Sequence, residues 1–184
     1  TTKRSFTDEE ALDMLEAQRD RIFVAPGISV LIQLLYEGDA VGITHQQAKD
    51  MGYEVELEAA VKSLRAMHKR GIRILPGGDY GFSWAPHGTN AMDLQYFVKY
   101  IGMTPMEALV SATKYGGQIM LRPDDLGQVK DGQLADLLLV DGDPVADLGV
   151  LLDKSRLLAI MKDGEFHKTP DVRTGRSRWS LSAA

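Results

Sequence analysis

Apolar positions along this chain change their spacing several times, and each change marks a different kind of element. The stretch TDEEALDMLEAQ opens with Thr7, and Glu10 stands three residues later. That pairing predicts a capping box, in which each side chain satisfies the other's exposed backbone donor, and a first helix over residues 8–19. RIFVAP then gathers β-branched and aromatic residues into a run stopped by Pro26, which predicts a short buried strand. Residues 27–52 combine an apolar piece, ISVLIQLLY, with a polar one, GITHQQAKDMG, and read as a long excursion between elements. Over residues 54–69, Leu57, Val61, Leu64 and His68 recur at helical spacing, opposite Glu56, Lys62 and Arg65. An amphipathic helix is expected there. GIRILPGGD returns to strand, and residues 91–100 are helical again, with Leu94, Phe97, Val98 and Ile101 on one side. In MTPMEAL, Thr104 is the expected N-cap, Pro105 the first helical residue and Glu107 the closing member of a second capping box, which predicts a helix through Lys114.

To about residue 117 the order of helices and strands is the alternation of a parallel α/β assembly. Beyond it the texture changes. LGQVKDGQLADLLLVDGDP and LLAIMKDGEFHK are short apolar runs punctuated by Asp-Gly pairs, the strongest short signal for tight β-turns. A small β unit is expected over about residues 126–168, and after it a polar tail containing RTGRSRW that lies on a surface. No internal repeat is visible.

Composition narrows the function classes. The chain has 184 residues, 44% hydrophobic, long enough for a sizeable core. No apolar run approaches the roughly 20 residues of a membrane span. The 21 basic residues, set against 26 acidic ones for a net charge of −5, are scattered apart from a few near the C-terminus, so neither a membrane nor a nucleic-acid partner is expected. Cysteine is absent, which excludes disulfides, thiolate metal sites and a cysteine nucleophile and suits a cytoplasmic location. The start, TTKRSFTDEE, has neither an initiator Met nor an apolar signal core, so a trimmed chain or a piece of something longer is expected.

Candidate chemistry gathers in RILPGGDYGFSWAPHGTN. Asp79 comes directly after a predicted strand and two glycines. Parallel α/β folds place their sites at the carboxyl ends of strands, where loops converge, and a carboxylate there suits a metal or a water. The competing reading, equally supported by spacing, is a plain strand-to-loop turn in which Asp79 caps the next few residues. His87 shares that loop and could contact a substrate, and Asn90 is the expected N-cap of the helix beginning near Ala91. Tyr80, Phe82 and Trp84 alternate in the loop and could wall an apolar pocket or simply pack beneath it. His45, His68 and His167 stand apart, with no HxH pair and no i, i+4 pair. A phosphate-binding glycine loop and a nucleophile-elbow serine are both missing.

Taken in order, GIRILPGGDYG, PHGTNAMDL, GMTPMEALVSAT and LGQVKDGQLADLLLVDGDP with MKDGEFHK resemble the C-terminal part of a metal-dependent amidohydrolase. The subgroup resembled contains imidazolonepropionase-like, prolidase-like and phenylurea- or carbamate-hydrolase-like enzymes. The resemblance implies an α/β fold, the C-terminal part of a (β/α)8 TIM-like barrel plus half of a small β-sandwich. Residues 1–120 would hold the last barrel strands and helices, 121–170 the C-terminal half of the sandwich, and 171–184 a tail. It makes RIFVAP the seventh barrel strand and RILPGGD the eighth. Asp79 becomes a metal ligand that takes a proton from the attacking water, with His87, Asn90 and Tyr80 contacting substrate.

The same resemblance implies a divalent metal, usually zinc, most of whose ligands lie on strands outside this chain. Lys3 falls where a sixth-strand histidine would stand. The expected partners are therefore a polypeptide segment or subunit supplying the first six barrel strands and a small-molecule substrate, in an oligomeric assembly. The implied reaction is hydrolysis of a C–N bond in an amide, urea, carbamate or imide. The alternative is a catalytically inactive scaffold or binding module with the same fold.

Overall fold

A computed structural model describes residues 8–170. The two runs expected as parallel strands lie side by side and run parallel: Val24 pairs with Ile74. The Val24 N–H donates to the Arg73 carbonyl at 2.9 Å, and the Leu75 N–H donates to the Val24 carbonyl at 3.0 Å. The ladder is a single bridge. Pro26 and Pro76 stand two positions after the paired residues, and a proline has no N–H with which to extend the pairing.

Helices cover this pair. α1 (Glu9–Ala17) starts one residue after Asp8, whose carboxylate accepts from the Ala11 N–H at 2.9 Å. Asp8 is thus the cap in place of Thr7, which lies outside the described residues. Glu9, Asp13 and Glu16 share one face of α1 and all meet the guanidinium of Arg70, tying α1 to the end of α4 (Tyr53–Lys69). The α4 helix buries Leu57, Leu64 and Met67, close to the expected stripe.

Residues 27–52 are not an excursion. They form α2 (Ile28–Tyr36), a 3-10 turn and α3 (His45–Asp50), the last capped by a Thr44–Gln47 box. The buried face of α2 includes Ser29 and Gln33 beside Ile28, Ile32 and Leu35. Two polar residues on the inner face obscure the periodicity that would otherwise announce a helix.

α5 (Met92–Tyr96) runs into a π-helical turn, Phe97–Ile101, with Phe97 fully buried. Asn90 does not cap it. Ala91 occupies the cap position without a side-chain bond, and the side-chain oxygen of Asn90 accepts instead from the Gly88 N–H at 3.2 Å. The capping box at α6 (Pro105–Ala112) is as expected: Thr104 N–H donates to Glu107 Oε2 at 2.7 Å, and Glu107 N–H to Thr104 Oγ1 at 3.2 Å. The helix stops at Ala112 rather than Lys114, and Thr113 turns the chain into α7 (Lys114–Ile119).

The remaining strands form one antiparallel sheet in the order β1 (Leu137–Val140), β2 (Leu157–Lys162), β3 (Glu165–Lys168). The β2–β3 hairpin closes at Asp163-Gly164, with φ of 51° and 82°. A two-residue turn that matches the strand twist needs positive φ at both positions, which is why Asp-Gly serves there. Among the described residues no second sheet covers this one, and no helix is long and apolar enough to cross a membrane.

Candidate functional site

The site is built on the loop that leaves the second parallel segment. A Cβ on Gly77 would come 2.6 Å from that of Ala25, and one on Gly78 would collide with Ser29 Oγ and the Tyr80 ring. The two glycines therefore serve close approach: the main chain presses onto the end of the first parallel segment and the first turn of α2. Neither has positive φ.

Asp93, on α5, holds this corner from beneath. Its side chain is 1% exposed. One oxygen accepts from the Gly77 and Gly78 N–H groups at 3.1 and 2.9 Å, and the other accepts from the Tyr80 hydroxyl at 2.9 Å. A partner set made only of donors suits an ionised carboxyl group. Burial, and then the neighbouring Asp93 charge, push the Tyr80 hydroxyl above its ordinary value, so it stays protonated and remains a donor.

Between these fixed points lies Asp79, exposed and without a hydrogen bond or ion pair among the described residues. His87 is also exposed; its ring lies over Gly81, where a Cβ would come 3.1 Å from Nε2. The loop between them folds back on itself through Gly81 N–H to the Ala85 carbonyl at 2.8 Å and Ala85 N–H to the Phe82 carbonyl at 3.0 Å. Phe82 and Trp84 stack with ring centres 4.8 Å apart, and Trp84 Nε1 is buried with no partner among the described residues. Asn90 is exposed, its side chain spent on Gly88. Of the four site residues expected from sequence, Asp79, His87 and Asn90 thus present themselves to solvent on one loop. Tyr80 is half-buried and turns its hydroxyl inward.

The other histidines stand elsewhere. His45 Nδ1 lies 2.7 Å from the Leu35 carbonyl and its ring stacks on Tyr36. His68 approaches Glu107 at 3.9 Å, and His167 borders a shallow apolar groove on the sheet with Leu138 and Ile160. Among the described residues no group of three His, Cys, Asp or Glu could hold a metal. Lys3 lies outside the described residues.

Asp93 was missed in the sequence. A signal existed: Asp93, Phe97 and Ile101 stand at i, i+4 and i+8, so an acidic residue occupies the apolar register of a helix, a placement that demands buried partners.

A family model described as "Amidohydrolase family" matches residues 6–166. Ochratoxinase of Aspergillus niger is 27% identical over 173 residues, covering 91% of this chain and 33% of that protein. Imidazolonepropionase of Aeromonas hydrophila subsp. hydrophila is 26% identical over 108 residues, 59% of this chain and 26% of that protein. A crystal structure of a putative prolidase from Bifidobacterium longum superposes with a TM-score of 0.75 at 25% identity, over 91% of this chain and 42% of that one. The chain spans a third or less of the length of these two curated relatives. With the family match running from before the first helix to the last strand, and with the paired parallel segments, the glycine corner and the carboxylate after it in place, this chain belongs to the amidohydrolase family.

Proposed function

We propose that this chain is the C-terminal part of a metal-dependent amidohydrolase that hydrolyses a C–N bond of a small molecule, an amide, urea, carbamate or imide. Residues 1–120 then carry the last strands and helices of a (β/α)8 barrel, 121–170 the C-terminal half of a composite β-sandwich, and 171–184 a tail. A segment or subunit supplying the first six barrel strands completes the site. What carries this reading is Asp79: an exposed carboxylate, unpaired among the described residues, that follows a parallel segment and a corner with no space for a side chain at Gly77 or Gly78.

This chain fits the metal as a contributor only, since one carboxylate falls short of the three or four protein ligands zinc takes. A bound divalent ion, zinc by preference, supplies Lewis acidity that makes water more acidic and polarises the scissile carbonyl. Asp79 takes the proton from the water as its oxygen joins the carbonyl carbon, then hands it to the departing nitrogen as the C–N bond breaks. His87, with its exposed ring, contacts substrate or the oxygen on which negative charge develops. Asn90 lies on the same loop, and Tyr80 offers its ring, its hydroxyl being committed to Asp93.

The test is Asp79→Asn in the assembled enzyme, assayed on a panel of Xaa-Pro dipeptides, N-acyl amino acids, carbamates and phenylureas. The amide is nearly isosteric but cannot take the proton, so turnover is expected to fall by about 10²–10⁴-fold with the fold intact. Near-normal turnover would leave Asp79 a turn residue. A second reading, an inactive scaffold or binding module, is favoured by the lack of a three-ligand cluster among the described residues. It predicts an assembly that is free of metal and inert on the whole panel. On either reading this chain alone is expected to lose zinc on dialysis, and stoichiometric retention would contradict the shared ligand set.

A further inference from the structure

We infer that Asp93 is a positioning residue: it pins the main chain before Asp79 and the side chain after it, and so sets the direction of the Asp79 carboxylate. The inference rests on the reading of Asp79 as proton acceptor and deepens it. Asp79 makes no bond of its own among the described residues, so its aim is decided by its neighbours.

Those neighbours are held to an unusual degree. The Gly77 and Gly78 N–H groups and the Tyr80 hydroxyl all end on one carboxylate. Gly78 is further wedged between Ser29 Oγ and the Tyr80 ring, and Ser29 is itself fully buried. Two consecutive glycines would otherwise be the most mobile dipeptide available, since nothing restrains their torsions. Asp93 removes that freedom on both sides of a single residue. A carboxylate with Phe97 and Ile101 for helical neighbours is a costly way to fill space, because burying a charge is unfavourable unless every bond to it is made. An apolar side chain would avoid that cost but would strip the Gly77 and Gly78 N–H groups and the Tyr80 hydroxyl of their acceptor, so filling space does not explain the choice. Fixing the reacting group does: a misplacement of about 1 Å at a catalytic group costs on the order of 10²-fold in rate.

The experiment compares Asp93→Asn, Tyr80→Phe, Asp79→Asn and the double variant Asp79→Asn/Asp93→Asn in the assembled enzyme. The assay uses whichever panel substrate is turned over fastest, alongside amide hydrogen exchange of residues 77–79. Asp93→Asn is expected to lower kcat by about tenfold to a hundredfold with KM within about twofold, and to speed exchange at the Gly77 and Gly78 amides, with a lower melting midpoint because the amide offers one acceptor oxygen where the carboxylate offered two. Tyr80→Phe, which removes one bond only, is expected to lower kcat by about threefold to tenfold. In the Asp79→Asn background the Asp93 change should cost nothing more, since it acts through Asp79.

Wild-type kcat in Asp93→Asn would overturn the inference, as would a loss in Asp93→Asn that adds in full to the loss in Asp79→Asn. If Asp93→Asn fails to fold, Tyr80→Phe decides by the same kcat criterion. Should no panel substrate be turned over, unchanged exchange at residues 77–79 overturns the inference and faster exchange supports it. A fully active Asp79→Asn sinks the reading of Asp79 itself, whereas an inactive Asp79→Asn beside a normal Asp93→Asn sinks only the role of Asp93.

Discussion

Phe97 lies at the heart of the helical layer with no exposed surface, whereas Phe166, on the last strand of the sheet, is 53% exposed. The contrast extends to their neighbourhoods. Ile74, Leu35 and Ala108 are buried in one core cluster, while β1, which reads LLLV, leaves Leu137, Leu138 and Leu139 open on both faces and along an edge that is unpaired among the described residues. Side chains of the same kind are thus used in two ways. The helical layer encloses a buried cluster, though Met14, Val55 and Met106 stay exposed on it. The sheet presents exposed apolar side chains, Leu138, Leu139 and Phe166 among them, and an edge that is unpaired among the described residues and able to accept another strand. The candidate site sits on the helical side, where buried Asp93 holds the corner around Asp79 although no group of three metal-ligating side chains stands among the described residues.

The largest expected effect separates the two regions directly. Phe97→Ala should cost about 3–5 kcal/mol, from lost burial and the cavity left behind, measured by denaturant unfolding. Gly77→Ala comes next, at about 1–3 kcal/mol, because the new methyl would lie 2.6 Å from the Ala25 side chain and 3.2 Å from its Cα, so the main chain must shift. A Gly77→Ala chain as stable as wild type would mean that the corner is not rigid.

Thr104→Ala should cost about 1 kcal/mol through loss of the cap, and it carries a pH signature. The Thr104 backbone N–H, and then its hydroxyl, hold the Glu107 carboxyl below the ordinary glutamate range. A depressed carboxyl contributes stability that is complete above the unfolded value and is lost as pH falls through the folded one. Thr104→Ala keeps the backbone N–H, so the wild type should lose stability below about pH 4 only slightly more steeply than the variant, and a variant that loses it more steeply than wild type would contradict the hydroxyl's part in the box. The smallest effect is Phe166→Ser, within about 0.5 kcal/mol in this chain alone. In an assembled protein that covers the sheet the same change should cost about 2 kcal/mol. Equal, negligible costs in both would show that the sheet stays bare.

Much of this was legible in the sequence where the rule is local. The Thr104–Glu107 box, the amphipathic stripe of α4 and the Asp163-Gly164 turn each depend on residues within one or two turns of one another. Asp79 at the end of a parallel segment was legible for a similar reason, since a short apolar run and two glycines lead straight into it. The α2 helix was not, because Ser29 and Gln33 interrupt its apolar face. Asn90 offered two acceptable partners within a few residues, and composition cannot choose between them.

The sequence by itself determined the capping box that starts α6, where the last hairpin turns and which carboxylate follows the second parallel segment, because those outcomes are fixed by neighbours along the chain. Only the tertiary structure decided that Asp93 would be buried, since its partners Gly77 and Gly78 lie 16 and 15 residues earlier and reach it only once the loop has folded back onto α5. The same holds for the exposed sheet: alternation and turn signals make strands, but whether a face is covered depends on what packs against it, and that is a property of contacts between distant elements.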